Sequence, residues 1–283
     1  MGLETQLQWI RYLQNALRSS GMDLFFKGWD HADSAYFSIT IIALVWHLWD
    51  RRLGARLFYV LVLSLICNKI LKVLFQQPRP CHIDPLVGIL CSNSEGFPSG
   101  AAQTAMVLSG FVFMECQKWL YRSLGLVFAG LLCFSRVYLG VHYPTDILGG
   151  LAVGVILLLV YKKGFPLCEK RWKRAIVAFP FFPLLIGNSV SSSWAFFLFF
   201  ALVGMAAGLL SFDRQKTPQI QSRAMKGWQA FSTVVGLWTL FVAISHFPRL
   251  MPLVGLAEGY WLSFLGGWIA QKMARLRRNS ILD

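Results

Sequence analysis

The chain has 283 residues, of which 56% are hydrophobic, 15% aromatic and only 14% charged, and its mean hydropathy is +0.54. So apolar and so sparsely charged a composition excludes an ordinary soluble domain and indicates an integral membrane protein. The formal net charge of +14 does not by itself indicate a nucleic-acid binder, because blocks of Lys and Arg in an apolar chain more often set membrane topology. We therefore predict no nucleic-acid partner.

Residues 1–32 form an amphipathic segment. They lack the basic start followed by an apolar core that marks a signal peptide. Within this segment Leu7, Ile10, Leu13 and Leu17 fall on one helical stripe. The stripe fits a helix that lies on the outer membrane surface and fits equally well a helix packed against the rest of the protein.

Apolar runs close to the ~20 residues that a helix needs to cross a bilayer recur along the rest of the chain. We place nine of them, at 33–49, 55–74, 97–116, 120–140, 144–161, 175–190, 193–212, 227–246 and 251–271. The predicted fold is an all-α, polytopic transmembrane bundle of about nine spans in a single membrane domain, 1–283. Residues 55–161 would form its core and 175–271 additional C-terminal spans. The last run carries Glu258, whose role the sequence does not indicate.

The basic residues predict the topology of these spans. Alternate loops hold 19 of the 27 basic residues, at 51, 52, 56, 118, 122, 162, 163, 170, 171, 173, 174, 214, 216, 223, 226, 272, 275, 277 and 278. The positive-inside rule then gives an outside N-terminus, an inside C-terminus and an outward loop around Ser94. We expect a bacterial inner membrane with this loop in the periplasm, because the connecting segments are short; a lumenal site in an endoplasmic reticulum is the alternative.

Three polar clusters fall at the outward ends of the predicted spans, where charged residues are costly and therefore indicate function. The first contains Lys72 and Arg79-Pro80, and the second is the Pro98-Ser99-Gly100 turn. The third begins at Ser135-Arg136 and continues with His142 and Asp146. The topology brings all three to one depth on one side of the membrane.

The residue types in these clusters describe an anion site with a nucleophile. Lys72, Arg79 and Arg136 supply three cations, and a turn at a helix N-terminus presents backbone N–H groups to a phosphate. An imidazole at His142 can attack phosphorus, while the carboxylate of Asp146 fixes its tautomer and stabilises the imidazolium. This chemistry requires neither a metal nor another cofactor, and no Cys/His spacing is typical of a zinc site.

The clusters resemble the type 2 phosphatidic acid phosphatase family, also called lipid phosphate phosphatases. Its pattern is Lys-x6-Arg-Pro, then Pro-Ser-Gly-His, then Ser-Arg-x5-His-x3-Asp, and residues 72–146 follow it except at one position. The resemblance implies that His142 forms a phosphohistidine and that Asp146 orients it. It also implies a phospholipid or polyprenyl (di)phosphate substrate, held by five residues: Lys72, Arg79, Ser99, Gly100 and Arg136.

The exception is Ala101, which occupies the position of the histidine that protonates the leaving oxygen in this family. General acid catalysis contributes typically ~10²–10⁴-fold, so its absence predicts an impaired hydrolase that still binds phosphate. Three explanations remain open. Position 101 carries an engineered change, or the chain is a catalytically silent member that binds or transports phospholipids. In the third, the substrate is a diphosphate whose leaving group needs less protonation, with His82 as a substitute acid.

Two of the six cysteines, Cys81 and Cys91, share the predicted outer loop. In an oxidising compartment a bridge between them would brace the loop, whereas in a reducing one both would be free thiols. The sequence indicates no oligomeric state, and no partners beyond membrane lipids and the substrate.

Overall fold

A computed structural model describes residues 2–169, 192–215, 223–246, 251–269 and 272. In these ranges the chain forms helices and no β-strand. The α-helices are α1 Leu3–Leu17, α2 Ser20–Asp30, α3 Ala35–Leu44, α4 Arg51–Phe75, α5 Pro80–Ile83, α6 Gly100–Glu115, α7 Trp119–Tyr138, α8 Pro144–Glu169, α9 Ser192–Gln215, α10 Arg223–His246 and α11 Met251–Tyr260. The all-α class predicted from composition is therefore confirmed.

Among the residues that the structure describes, three segments are long and apolar enough to cross a membrane: Arg51–Ile83, which includes α4, Trp119–Tyr138 and Pro144–Gly164. Two shorter apolar helices, Ala35–Trp49 and Phe197–Leu210, do not reach the same length. The sixth predicted span, 175–190, lies outside the described residues. The number of nine spans stays a prediction.

The chain separates into two compact units. One contains Met1–Ser38 and Tyr59–Phe165, and the other contains Ile39–Phe58 and Pro166–Asp283. All three polar clusters of the sequence belong to the first unit. That the whole chain forms one membrane domain stays a prediction.

Helix α1 packs into the first unit and does not lie apart from it. Ile10 is fully buried and Leu7 nearly so, in a cluster with Val87 and Tyr143. The buried amide of Gln14 donates to the carbonyls of Val87, at 2.8 Å, and Tyr138, at 2.7 Å. Of the two interpretations of the amphipathic stripe, packing against the protein is the one observed, and polar residues share the packed face.

Small residues allow close helix contacts in both units, because they let helix backbones approach each other. In the first unit a Cβ at Gly154 would lie 2.6 Å from the Cβ of Met106, so α8 and α6 are in close contact there. In the second unit α9 packs on α11, where a Cβ at Gly255 would lie 2.6 Å from the carbonyl oxygen of Phe197. Glu258 is buried in the second unit, and its Oε1 has no hydrogen-bond partner within the described ranges.

Candidate active site

The start of α8 fixes His142 and Asp146. Pro144 begins the helix, which places Asp146 in its first turn and close to the preceding histidine. The Nδ1 of His142 lies 3.4 Å from Asp146 Oδ2, and this oxygen also accepts the backbone N–H of Tyr143 at 2.9 Å. The amide of Gln77 donates to the other carboxylate oxygen at 2.8 Å. The carboxylate is thus held in one orientation and fully buried.

The contact between Arg79 and His142 identifies the reactive ring nitrogen. A guanidinium N–H of Arg79 lies 3.3 Å from Nε2 of His142. A guanidinium can only donate, so Nε2 is the acceptor and the ring proton belongs on Nδ1, which faces Asp146. Burial lowers the pKa of His142 to about 4, although the hydrogen bond to Asp146 acts in the opposite direction. At neutral pH the imidazole is therefore uncharged, and its unprotonated Nε2 faces Arg79.

Two of the three predicted cations hold the loop that crosses this site. Arg79 donates to the carbonyl of Ser94 at 2.7 Å, to its hydroxyl at 2.8 Å and to the carbonyl of Val141 at 3.0 Å. The ammonium group of Lys72 donates to the carbonyl of Glu95. The bond from Arg79 to Val141 joins the first and third sequence clusters, and these two residues are 62 positions apart.

The two terminal nitrogens of the third cation, Arg136, have different surroundings. Its side chain is buried, and one terminal nitrogen donates to Asp30 Oδ1 at 2.7 Å and lies 3.8 Å from Asp33 Oδ2. The second terminal nitrogen, Nη2, is buried and has no hydrogen-bond partner within the described part of the chain. A buried N–H without a partner is costly, so this group is a ready donor to an anion.

The Pro98-Ser99-Gly100 turn begins α6. The Ser99 hydroxyl accepts from the backbone N–H of Ala102, and the Ser99 backbone N–H donates to the carbonyl of Asp146 at 3.0 Å. The amide of Asn68 donates to the carbonyl of Pro98 at 3.1 Å. A side chain at Gly100 would crowd Asn68, because a Cβ there would lie 3.2 Å from its amide oxygen.

Sequence reasoning missed several residues of this site. Asn68 lies within the apolar run 55–74 and Gln77 just beyond it, a signal that polar groups in such positions have a role. Asp30 lies near the end of the segment 1–32, and Asp33 begins the predicted span 33–49. Acidic residues at the start of an apolar run, on the side that carries the cations, are the signal that would have revealed them.

Comparison with known protein families identifies the proteins that this part of the chain resembles. Residues 53–170 match the model of the PAP2 superfamily, a range that contains all three polar clusters. This part of the chain is therefore similar to the PAP2 superfamily. The match confirms the resemblance inferred from the motifs and agrees with the predicted transmembrane bundle.

Relatives of known name include phosphatidylglycerophosphatase B of Bacillus subtilis (strain 168), which is 29% identical over 174 residues, or 56% of this chain and 82% of the relative. An undecaprenyl-diphosphatase of Sulfolobus acidocaldarius is 26% identical over 121 residues, or 42% of this chain and 58% of the relative. The crystal structure of Aquifex aeolicus LpxE matches with a TM-score of 0.51 at 24% identity and covers 56% of this chain and 94% of that one. The structural match shows a shared fold.

The position at which the family pattern has a histidine is apolar in this chain. Ala101 is fully buried in a cluster with Ala32, Ala105 and Leu132. Ala32 comes from the 3-10 helix His31–Asp33, which follows α2. The N-terminal segment thus packs against the first turn of α6, beside the position where the family has its general acid.

His82, considered above as a substitute acid, is engaged within its own loop. Its Nε2 lies 2.9 Å from the carbonyl of Ser92, and its Nδ1 accepts the backbone N–H of Arg79 at 3.4 Å. This pattern places the ring proton on Nε2 and points it at a protein carbonyl. The contacts favour a structural role for His82.

The same loop contains a disulfide between Cys81 and Cys91, whose Cα atoms are 5.9 Å apart. The ligand atoms of these cysteines and His82 lie within 4.8 Å of one another, the one such group among the described residues. Because the two sulfurs are bonded to each other, the group is not arranged as a metal site. The bridge closes the loop directly after Arg79.

Proposed function

We propose that the chain is a membrane-embedded phosphatase that hydrolyses a lipid phosphate monoester or a polyprenyl diphosphate at the extracytoplasmic face. His142 would attack phosphorus through Nε2 and form a phosphohistidine, which water then hydrolyses. The observation that carries the proposal is the position of this nitrogen. It lies against the Arg79 guanidinium, with Asp146 on the opposite ring nitrogen.

The proposed binding roles follow from charge and hydrogen-bonding capacity. A phosphate beside Nε2 would take the place of protein carbonyls as acceptor for Lys72 and Arg79 and would satisfy the open nitrogen of Arg136. Charge-assisted hydrogen bonds of this kind are about twice as strong as neutral ones. Gly100 would add its backbone N–H at the start of α6, and Ser99 would add the proton of its hydroxyl, because its own backbone N–H donates to Asp146.

The substrate class rests on the family and on two relatives. Phosphatidylglycerophosphatase B is named for a lipid phosphate monoester and undecaprenyl-diphosphatase for a polyprenyl diphosphate. Both of these lipids have an apolar chain and a terminal phosphoryl group. Such a molecule suits a site at the outer ends of apolar helices. The site needs no metal in this proposal, because guanidinium, ammonium and backbone N–H groups neutralise the phosphate.

The experiment is phosphate release by the purified protein in detergent or nanodiscs. Its substrates are phosphatidic acid, phosphatidylglycerophosphate and undecaprenyl diphosphate, and His142→Gln is the matched inactive control. We expect release from at least one lipid by the unaltered chain and none by the variant. Brief incubation with ³²P-labelled substrate and a quench in alkaline detergent should trap a phosphoenzyme that is stable in alkali, labile in acid and absent from His142→Gln.

The apolar surroundings of Ala101 favour one alternative, a catalytically silent PAP2 protein that binds or transports phospholipids. Such a protein would keep the cation cradle but release no phosphate. Lipid phosphate binding without release from any of the three substrates would support this alternative and exclude the hydrolase.

We further propose that the site faces the periplasm of a bacterial inner membrane, with the lumen of an endoplasmic reticulum as the alternative. Support comes from the basic residues of the inner loops and from the Cys81–Cys91 bridge, because disulfides persist in oxidising compartments. A fluorescent-protein fusion to the C-terminus should be bright in bacterial cells, since that end is predicted inside. A dark fusion of an intact protein would contradict this topology.

A further inference from the structure

We infer that Asp33 is the general acid of this site and donates the proton that the family histidine would supply at position 101. This inference rests on the proposed hydrolase function and names a further catalytic residue for it. The acid would come from the N-terminal segment, outside residues 53–170 that match the family.

The first support is the packing around position 101. Ala32 and Ala101 belong to one buried cluster, in which Trp29 and Leu132 also take part. The short helix His31–Asp33 therefore lies against the first turn of α6. This packing brings Asp33, next in the chain to Ala32, to the side of the site that Ala101 leaves without a proton donor.

The second support is the set of charges around the carboxylate. Asp33 Oδ2 lies 3.8 Å from the buried guanidinium of Arg136, and it is close enough to Arg79 and Lys72 to interact with both electrostatically. These are the three cations assigned to the phosphate. The distance to Arg136 places the Asp33 carboxyl beside one of them.

Asp30 and Asp33 have different relations to Arg136. Asp30 accepts a hydrogen bond of 2.7 Å from the guanidinium, which suits a positioning role. Asp33 is farther away and does not form that bond, so its carboxyl remains available to a substrate. The second guanidinium nitrogen, Nη2, is buried without a partner in the described residues, which indicates that a ligand belongs beside it.

The environment also suits proton transfer. Desolvation by the surrounding protein raises the pKa of Asp33 to about 6, with Asp30 adding to this rise while Arg136, Arg79 and Lys72 oppose it. The neighbouring surface of α6 is apolar, formed by Ala101 and Ala105. About a third of the side chain remains exposed, so water can return the proton. A donor whose pKa is near the working pH is the most effective.

The proposed reaction has two steps, phosphoryl transfer to His142 and hydrolysis of the phosphohistidine. Nε2 of neutral His142 forms a bond to phosphorus, the bond from phosphorus to the leaving oxygen breaks, and protonated Asp33 gives its proton to that oxygen. The products are an alcohol, a phosphohistidine whose positive ring is stabilised by Asp146, and an ionised Asp33. Water then attacks phosphorus, the P–N bond breaks, and Asp33 takes a proton from the water. Inorganic phosphate leaves with His142 and Asp33 in their starting states.

The test compares Asp33→Asn with the unaltered chain on two substrates that differ in leaving group. Phosphatidic acid has a poor alkoxide leaving group, whereas 4-nitrophenyl phosphate has a good one that needs little protonation. We expect Asp33→Asn to lower kcat on phosphatidic acid by roughly 10²–10⁴-fold and to change 4-nitrophenyl phosphate turnover much less. Asp30→Asn should instead raise KM on both substrates, and Glu4→Gln, on an exposed position of α1, should change neither.

The pH profile provides a second readout. Activity requires neutral His142, so turnover should rise above pH about 4. Alkyl phosphate turnover also requires protonated Asp33, so it should fall above pH about 6. Asp33→Asn should remove the fall at higher pH, apart from the ionisation of the substrate itself. 4-Nitrophenyl phosphate, assayed in parallel, reports that contribution.

Several outcomes would overturn the assignment. Equal losses on both substrates would make Asp33 a structural residue, and unchanged turnover of phosphatidic acid would remove it from the reaction. If the unaltered chain hydrolyses neither these substrates nor a diphosphate, the proposed function fails and the assignment fails with it. If the unaltered chain is active and only the Asp33→Asn contrast is missing, the hydrolase remains and the assignment alone is wrong.

Discussion

The two sides of the candidate site are built differently. On the proposed nucleophile side His142, Asp146, Gln77 and Arg79 form a continuous hydrogen-bonded set. The motif spacing in the sequence indicates all of them except Gln77. On the leaving-group side Ala101 lies in an apolar cluster, and the nearby charges come from Asp30 and Asp33 in the N-terminal segment. The nucleophile side thus lies within the part that matches the PAP2 superfamily, whereas the leaving-group side depends on residues outside it.

The largest expected effect comes from the nucleophile side. His142→Gln should lower turnover by roughly 10⁴-fold or more, as removal of a nucleophile or its base does in other enzymes. The loss should be the same for good and poor leaving groups, because phosphorus must be attacked in every case. His47→Gln is the matched control, since His47 pairs with Thr233 in the second unit. A residual rate that depends on leaving group would contradict this assignment.

Arg136 connects the two sides, and its loss should affect binding more than chemistry. Arg136→Gln removes a charge-assisted donor worth about 1.5–3 kcal/mol, which corresponds to a rise in KM of roughly 10–100-fold. Titration of lipid phosphate onto the purified variant would measure the loss. Arg122→Gln, at the opposite end of α7, is the control and should bind normally. Unchanged binding by Arg136→Gln would remove this guanidinium from the phosphate site.

A substitution at Gln77 tests whether its hydrogen bond to the Asp146 carboxylate supports the proposed nucleophile. Gln77→Leu leaves one oxygen of the buried Asp146 carboxylate without its donor, at a cost of about 1–3 kcal/mol. We expect kcat to fall by roughly 5–100-fold with little change in KM, because the carboxylate orients His142 and does not bind substrate. Steady-state kinetics would measure kcat and KM of Gln77→Leu. The control is Gln8→Leu, a change at an exposed position of α1. A rise in KM alone would show that Gln77 acts on substrate binding.

The smallest effect on rate is expected at Ala101. The family pattern alone predicts that Ala101→His raises alkyl phosphate turnover by ~10²–10⁴-fold. If Asp33 already supplies the proton, the gain should be far smaller. The imidazole would also crowd Ala32 and Leu132, with a cost in stability of about 1–3 kcal/mol. Kinetics and thermal unfolding in detergent would measure both effects against Ala101→Ser. A full restoration of rate by histidine would show that the unaltered leaving-group side has no acid.

The second unit illustrates how packing can be inferred from spacing without any inference of function. Gly255 and Gly259 lie four residues apart on α11, and both face α9 closely enough that a Cβ would meet backbone atoms. Repeats of small residues predict such contacts because they let helix backbones approach. Nothing in that spacing indicates a role for Glu258, which is buried between the same glycines.

The sequence by itself determined the membrane class and the helical fold, and it predicted His142, Asp146 and Arg79 as residues of the proposed nucleophile side. Each follows from composition, or from charged residues at fixed distances on the same or adjacent helices. Only the tertiary structure decided which partners complete the site: Gln77 on Asp146, and Asp30 and Asp33 beside Arg136, more than a hundred positions away in the chain. Short spacings restrict geometry because a helix turn is rigid. Contacts between distant segments depend on how whole helices pack, which no local pattern records.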